Sequence, residues 1–261
     1  MKKIKLTAVN YLNTKPFLFG LIQSGMEDVL EIQKDIPAKC AEKLIQNEVD
    51  IALIPVAALV DIKAHYIVSD FCIGCEGAVK TVCLYSNSPI EDINRIYLDV
   101  HSRTSVALVK ILINDYWKKS EMDYKPIYKI GEEIIEDEAA LLAIGDKTIG
   151  MEEKYTYIYD LGEVWKDMTG LPFVFAAWVA NKKMEPEFLA RFNKALAAGL
   201  EHIPDLMLLM PETAHGFDLK KYFEENISYT LDEPKKKALR LFMSKLDHSI
   251  SPEDVIQPVF A

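Results

Sequence analysis

Val9-Asn10-Tyr11-Leu12-Asn13-Thr14-Lys15-Pro16 places two amides and a phenol where a first core strand stops. The residues before it, Ile4-Lys5-Leu6-Thr7-Ala8-Val9, read as a strand. The apolar run from Phe17 to Ile22 reads as a helix opening behind Pro16, since proline is tolerated in a first helical turn. Asn10, Tyr11 and Asn13 therefore belong to a loop at a strand's carboxyl end, which is where open α/β sheets bind their ligands.

Outward from this loop, strand and helix patterns alternate, the signature of a parallel sheet with helices on its faces. Ile36-Pro37-Ala38 opens a helix running to about Asn47, and Val49 to Pro55 is an apolar strand stopped by proline. Thr81 to Ser86 reads as a strand ending at the turn Asn87-Ser88-Pro89, and Ile96 to Asp99 as another, with a long helix from Val106 to Lys119. Further on, Glu136 to Ile144 reads as a helix, Gly145-Asp146-Lys147 as a tight turn and Thr148 to Met151 as a strand. Tyr159 to Trp165 is amphipathic, Pro172 to Ala180 a buried strand, and the pattern from Pro186 onward is helical.

One α/β unit, then a second, then returning helices predict two lobes joined by crossings near Asn87 and Ala180. Residues 1–87 with 180–261 would form lobe I, and 88–179 lobe II. The expected class is α/β, a two-lobed type II periplasmic-binding-protein-like fold with a ligand cleft between the lobes. No internal repeat or low-complexity linker interrupts the sequence.

The 261 residues, half of them hydrophobic, can bury a sizeable core. A net charge of -10 without a basic stripe argues against nucleic acid and anionic membrane as partners and leaves a small molecule. No apolar run approaches the roughly 20 residues of a spanning helix, and the chain starts with lysines and a strand pattern. The expectation is a cytoplasmic protein without a signal peptide. Cys40, Cys72, Cys75 and Cys83 are then expected as reduced thiols. Cys72 and Cys75 form a C-x-x-C pair, but no second pair or nearby histidine completes a zinc site, so buried structural thiols are the favoured reading.

Ser102-Arg103-Thr104-Ser105 is the second chemically loaded stretch. Hydroxyls and free backbone N–H groups converge at a helix N-terminus beside an arginine, which suits an anion. Simple helix capping by Ser102 or Thr104 is compatible with that role. Catalytic equipment is otherwise thin. His65, His101, His202, His215 and His248 are scattered, and G-x-S-x-G, H-E-x-x-H and G-x-x-x-x-G-K-[ST] are all missing. Glu132, Glu133, Glu136, Asp137 and Glu138 read as a solvated helix start. The residues alone describe a bilobal binder of a small anion.

Five stretches carry a resemblance: Val9 to Pro16, Asp50 to Val56, Ser102 to Val106, Leu142 to Asp146 and Gly170 to Ala176. In this order they resemble the chorismate dehydratases of the futalosine route to menaquinone, over residues 4 to about 180. The resemblance implies a cytoplasmic enzyme that removes water from chorismate to give 3-(1-carboxyvinyloxy)benzoate, with no metal or organic cofactor. The family's Y-x-N element matches Tyr11-Leu12-Asn13, which makes Asn13 the catalytic asparagine, and Thr81 stands where the family has a serine. Tyr11, Asn10, Ser102, Arg103, Thr104, Ser105 and Asp146 are the candidate substrate contacts, with Arg103 either pairing a carboxylate or bracing its loop. Phe173 and Trp178 read as core, and Asp160 as a helix start. Two alternatives stand beside this: a non-catalytic cytoplasmic binding protein for a small carboxylate, and the paralogous cyclase of the same route with its larger nucleoside-derived substrate. The sequence leaves the oligomeric state open.

Overall fold

Alternating apolar runs and capped helices assemble here into two sheets. The computed structural model describes residues 3–62, 65–130, 136–210 and 214–246. The chain begins β1 (Ile4–Val9), α1 (Lys15–Gln23), β2 (Leu30–Asp35), α2 (Pro37–Ile45), β3 (Ile51–Pro55) and β4 (Tyr66–Cys75). It continues β5 (Val82–Ser86), β6 (Arg95–Asp99), α3 (Arg103–Asp115), β7 (Asp123–Ile127), β8 (Ala139–Ile144), β9 (Tyr157–Asp160) and α4 (Leu161–Thr169). It closes with β10 (Phe173–Ala180), α5 (Pro186–Glu201), α6 (Ile203–Leu208), α7 (Leu219–Lys221), β11 (Ser228–Thr230) and α8 (Glu233–Leu246).

The first sheet runs β11-β4-β10-β3-β1-β2 and the second β7-β6-β8-β5-β9. β1 lies parallel to β2 and β3, while β10 enters antiparallel between β3 and β4. In the second sheet β6 lies parallel to β7 and β8, while β5 enters antiparallel between β8 and β9. Apart from β11, both sheets thus have one plan: two strands flank a first strand, and a strand arriving from the other lobe is inserted antiparallel. The absence of a sequence repeat hides this. Topology repeats because pattern repeats, without side-chain identity.

Strand membership moves the crossings. β5 belongs to the second sheet and β10 to the first, so the chain changes sheets within 76–81 and 161–172, ahead of the positions expected near Asn87 and Ala180. Both strands are fully buried central strands, and a run of that kind carries no mark of the sheet it joins.

Three other expectations fail. Ala139–Ile144 is a strand, β8, where a helix was expected: its alanines and leucines favour helix, but all six residues are buried between β6 and β5. Glu136 to Glu138 consequently precede a strand, and Glu136 pairs with Arg95; Glu132 and Glu133 lie outside the described residues. Thr148 to Met151 is not a strand, because short 3-10 turns at Gly145–Thr148 and Met151–Glu153 flank Gly150 in the left-handed region. β2, β4, β7, β9 and β11 have no counterpart among the expected strands.

α1 crosses α5 with the two backbones in contact. A Cβ built on Gly20 would stand 2.1 Å from the Ala195 carbonyl, and one on Gly199 2.0 Å from that of Pro16. Beneath α1, Phe17 packs edge-on to Trp178 and Tyr229, which seats the start of the helix firmly on the first sheet. Phe173 and Trp178 are core, as expected. All four cysteines are buried and free, and burial pushes the Cys72 thiol up to about 12 and that of Cys40 to about 11, so neither is a nucleophile at neutral pH.

Candidate functional site

The repeated sheet plan brings two equivalent points face to face. In each lobe the first parallel strand, β1 or β6, ends in a short loop that feeds a helix N-terminus, α1 or α3. The two loaded stretches of the sequence are these loops. Between them lies a cleft of about 550 Å³, part of it open to solvent, into which Tyr11, Asn13, Thr81, Ser102, Thr104 and Ser105 all reach. Val9, Leu53, Ile73, Ile144 and Phe175 give it an apolar wall. Pro37, at the first turn of α2, brings a third helix start to the same space.

On the first lobe, Tyr11 is extended and Leu12–Thr14 forms a 3-10 turn. Across the cleft, the Asp146 carboxylate accepts the Leu12 N–H at 3.0 and 3.2 Å, tying the turn to the second lobe. Asn13 is held twice: Thr14 donates its hydroxyl to Asn13 Oδ1 at 3.2 Å, and Tyr229 donates to the Asn13 carbonyl at 3.0 Å. The Tyr11 ring lies flat over Gly145, where a Cβ would come within 2.8 Å of it and where φ is +70°. Burial, then Asp99 and Asp146, raise the Tyr11 phenol far above its usual range, so it remains a donor. Asp99 is itself buried and ion-paired with Lys147 at 2.5 Å.

On the second lobe, Ser102 caps α3 by accepting the Ser105 N–H at 3.2 Å. The N–H groups of Arg103 and Thr104 have no carbonyl to meet within the helix, and the helix dipole adds partial positive charge there. Among the described residues no hydrogen bond occupies the Ser105 hydroxyl. Donors arranged in this way suit an anion. The Thr104 hydroxyl is already used: it donates to the Phe175 carbonyl at 3.1 Å and accepts the Ala57 N–H at 3.2 Å, stitching the lobes together.

Thr81 sits at the lobe crossing and is 1% exposed. Its neighbours are fixed by Asp160, whose carboxylate accepts N–H groups from Val79 at 3.0 Å and Lys80 at 2.6 Å while capping α4 through Gly162 and Glu163. Burial raises the Asp160 carboxyl despite these four donors. Thr81 Oγ1 meets the Tyr222 hydroxyl at 2.9 Å.

The structure therefore brings together Asn13, Thr81, Tyr11, Ser102, Thr104 and Ser105 and leaves three candidates aside. Asn10 is exposed and only its main-chain N–H is engaged, by Asp35. Arg103 does not line the cleft and instead pairs with Asp61. Asp146 does not line the cleft; it holds the turn that carries Asn13. The His101 main-chain N–H donates to Asp99, and the residue does not line the cleft. Among the described residues no group of three His, Cys, Asp or Glu side chains could hold a metal, and no helix is long and apolar enough to cross a membrane.

Asp146 carries a pH signature. Burial, opposed by the Leu12 N–H and Lys15, holds its carboxyl above the ordinary value. The folded chain then binds this proton more tightly than the unfolded one, so stability from Asp146 is full at low pH and falls as pH rises through that raised value. Asp146→Asn removes the decline: wild-type minus variant stability, from urea melts, should decrease as pH rises above the ordinary carboxylate value of about 4. A difference that grows with pH contradicts this.

Two lobes with one strand plan, a crossing between them and helix starts facing a cleft define a type II periplasmic-binding-protein-like fold. Solved structures agree. Protein AF1704 from Archaeoglobus fulgidus superposes with a TM-score of 0.70 at 16% identity, covering 95% of this chain and 98% of that one. The Candida albicans CA3427 product, described as having the generic periplasmic binding protein fold, gives 0.67 at 10% identity over 99% and 95%. The aliphatic sulphonate binding protein SsuA of Escherichia coli gives 0.60 at 12% over 94% and 91%. Residues 4–248 match the family described as menaquinone biosynthesis, and the chain belongs to it. It is 24% identical to the chorismate dehydratase of Thermus thermophilus, over 97% of this chain and 98% of that one. It is 27% identical to that of Campylobacter jejuni, over 90% and 94%.

Proposed function

We propose that this chain is a cytoplasmic chorismate dehydratase that forms 3-(1-carboxyvinyloxy)benzoate. The observation that carries the reading is that Asn13 and Thr81, far apart in sequence, border one cleft opposite the capped N-terminus of α3. The two curated relatives named chorismate dehydratase support it over most of the chain.

Chorismate explains why so little acid–base equipment suffices. The proton to be lost sits on the ring carbon bearing the enolpyruvyl ether, where the diene conjugates a developing carbanion with the ring carboxylate. Departure of the neighbouring hydroxyl makes the ring aromatic. The protein has mainly to orient the substrate and stabilise charge with donors fixed in advance. The α3 N-terminus with Ser102 and Ser105 holds one carboxylate, and the apolar wall receives the ring. Asn13 and Thr81 orient the enolpyruvyl arm or the departing hydroxyl, and the enolpyruvyl carboxylate takes the proton.

Thr81 supplies the test. Thr81→Ser keeps the hydroxyl and should stay within about 10-fold of wild-type kcat, whereas the isosteric Thr81→Val should fall about 100-fold. Equal rates for the two variants, followed by loss of the chorismate diene absorbance, would remove Thr81 from the chemistry.

A further inference from the structure

Tyr222 belongs to the C-terminal part of the chain, 141 residues from Thr81, and opens a π-type turn, Tyr222–Asn226. Such turns occur often at functional sites. The turn is pinned to the lobe crossing by Asn226, whose side-chain amide donates to the Ala78 carbonyl at 3.1 Å. The Tyr222 ring packs edge-on to Phe217 at 5.2 Å and against Phe223 at 5.6 Å, and the residue is 1% exposed. It does not line the cleft.

Its hydroxyl is nevertheless the partner of Thr81 Oγ1 at 2.9 Å. The Asn13 side chain also acts on this hydroxyl, and burial with the nearby Asp146 charge keeps the phenol protonated. Asn13 Oδ1 accepts from Thr14, and the amide nitrogen is the donor of the same side chain. One arrangement of these donors leaves the single Thr81 proton for the cleft: the Asn13 amide donating to the Tyr222 oxygen, and Tyr222 donating to Thr81 Oγ1.

Resting on the dehydratase reading, we infer that Tyr222 is a positioning residue: it couples Asn13 to Thr81 and aims the Thr81 hydroxyl proton at the substrate. It touches no substrate and gives up no proton. Its effect is to fix which way one donor points, and a donor fixed before the reaction is worth more than one that must reorganise.

The test uses the purified full chain with chorismate and compares wild type, Tyr222→Phe, Thr81→Val and the double variant. Phenylalanine keeps the ring packing, and a thermal melt by circular dichroism verifies the fold of each. Tyr222→Phe should lower kcat about 10- to 100-fold with KM within about 3-fold, the split expected of an interaction made in the transition state. The double variant should be no slower than Thr81→Val, because the two residues act as one unit. An unchanged kcat in folded Tyr222→Phe, a loss confined to KM, or losses that multiply in the double variant would overturn the inference alone. An inactive wild type would overturn the dehydratase reading and the inference with it.

Discussion

Asn13→Ala should lower kcat for chorismate dehydration by about 100- to 1,000-fold, the range observed when one donor aimed at developing charge is removed. The fold should survive, because the turn around Asn13 is held by main-chain atoms: the Leu12 N–H on Asp146 and the Asn13 carbonyl under the Tyr229 hydroxyl. Asn13→Asp is the sharper variant. It keeps the size and the acceptor oxygen but exchanges the amide donor for a negative charge in the cleft proposed to receive a dicarboxylate. It too should lose most of its activity, and its KM should rise. Near-normal turnover by either variant, measured from the loss of diene absorbance, would move the chemistry elsewhere in the cleft.

Asp160→Ala should show the largest loss of stability, about 3–5 kcal/mol in urea denaturation. Removing a helix cap costs about 1–2 kcal/mol, and stranding buried N–H donors adds about 1–3 kcal/mol for each that finds no water. Here one carboxylate serves Val79, Lys80, Gly162 and Glu163 together. The same substitution frees the segment leading into Thr81, with Lys80 in the left-handed region at φ 68°, so kcat should fall as well. Asp160→Asn keeps one acceptor oxygen but turns an amide toward donors, and should lie between the two. A stability change below about 1 kcal/mol in Asp160→Ala would show that water replaces the carboxylate at this crossing.

Local signals were read correctly where local chemistry decides. Pro16 and Pro37 open helices, Ser102 caps one, and both loops at the cleft follow from strand, polar stop and helix start. β8 was misread because Ala-Ala-Leu-Leu-Ala-Ile favours helix in isolation, and only burial between two strands overrides that preference. The lobe crossings were placed late because a buried run such as β5 or β10 fits either sheet. Arg103 looked like the natural anion partner, yet a helix turns successive side chains by about 100°. With Ser102 and Ser105 facing the cleft, Arg103 meets Asp61 instead. Tyr222 and Tyr229 were invisible from sequence, because their partners are brought together only by the return of the chain to the first lobe.

The central claim is that this cleft converts chorismate by losing one water. Incubation of the pure protein with chorismate, followed by mass spectrometry and proton NMR of the product, tests it most directly. The account predicts loss of the diene absorbance, a product lighter by one water, and a benzoate substituted at the position meta to its carboxylate and still bearing the enolpyruvyl group. Chorismate recovered unchanged, whether free or bound, would contradict it.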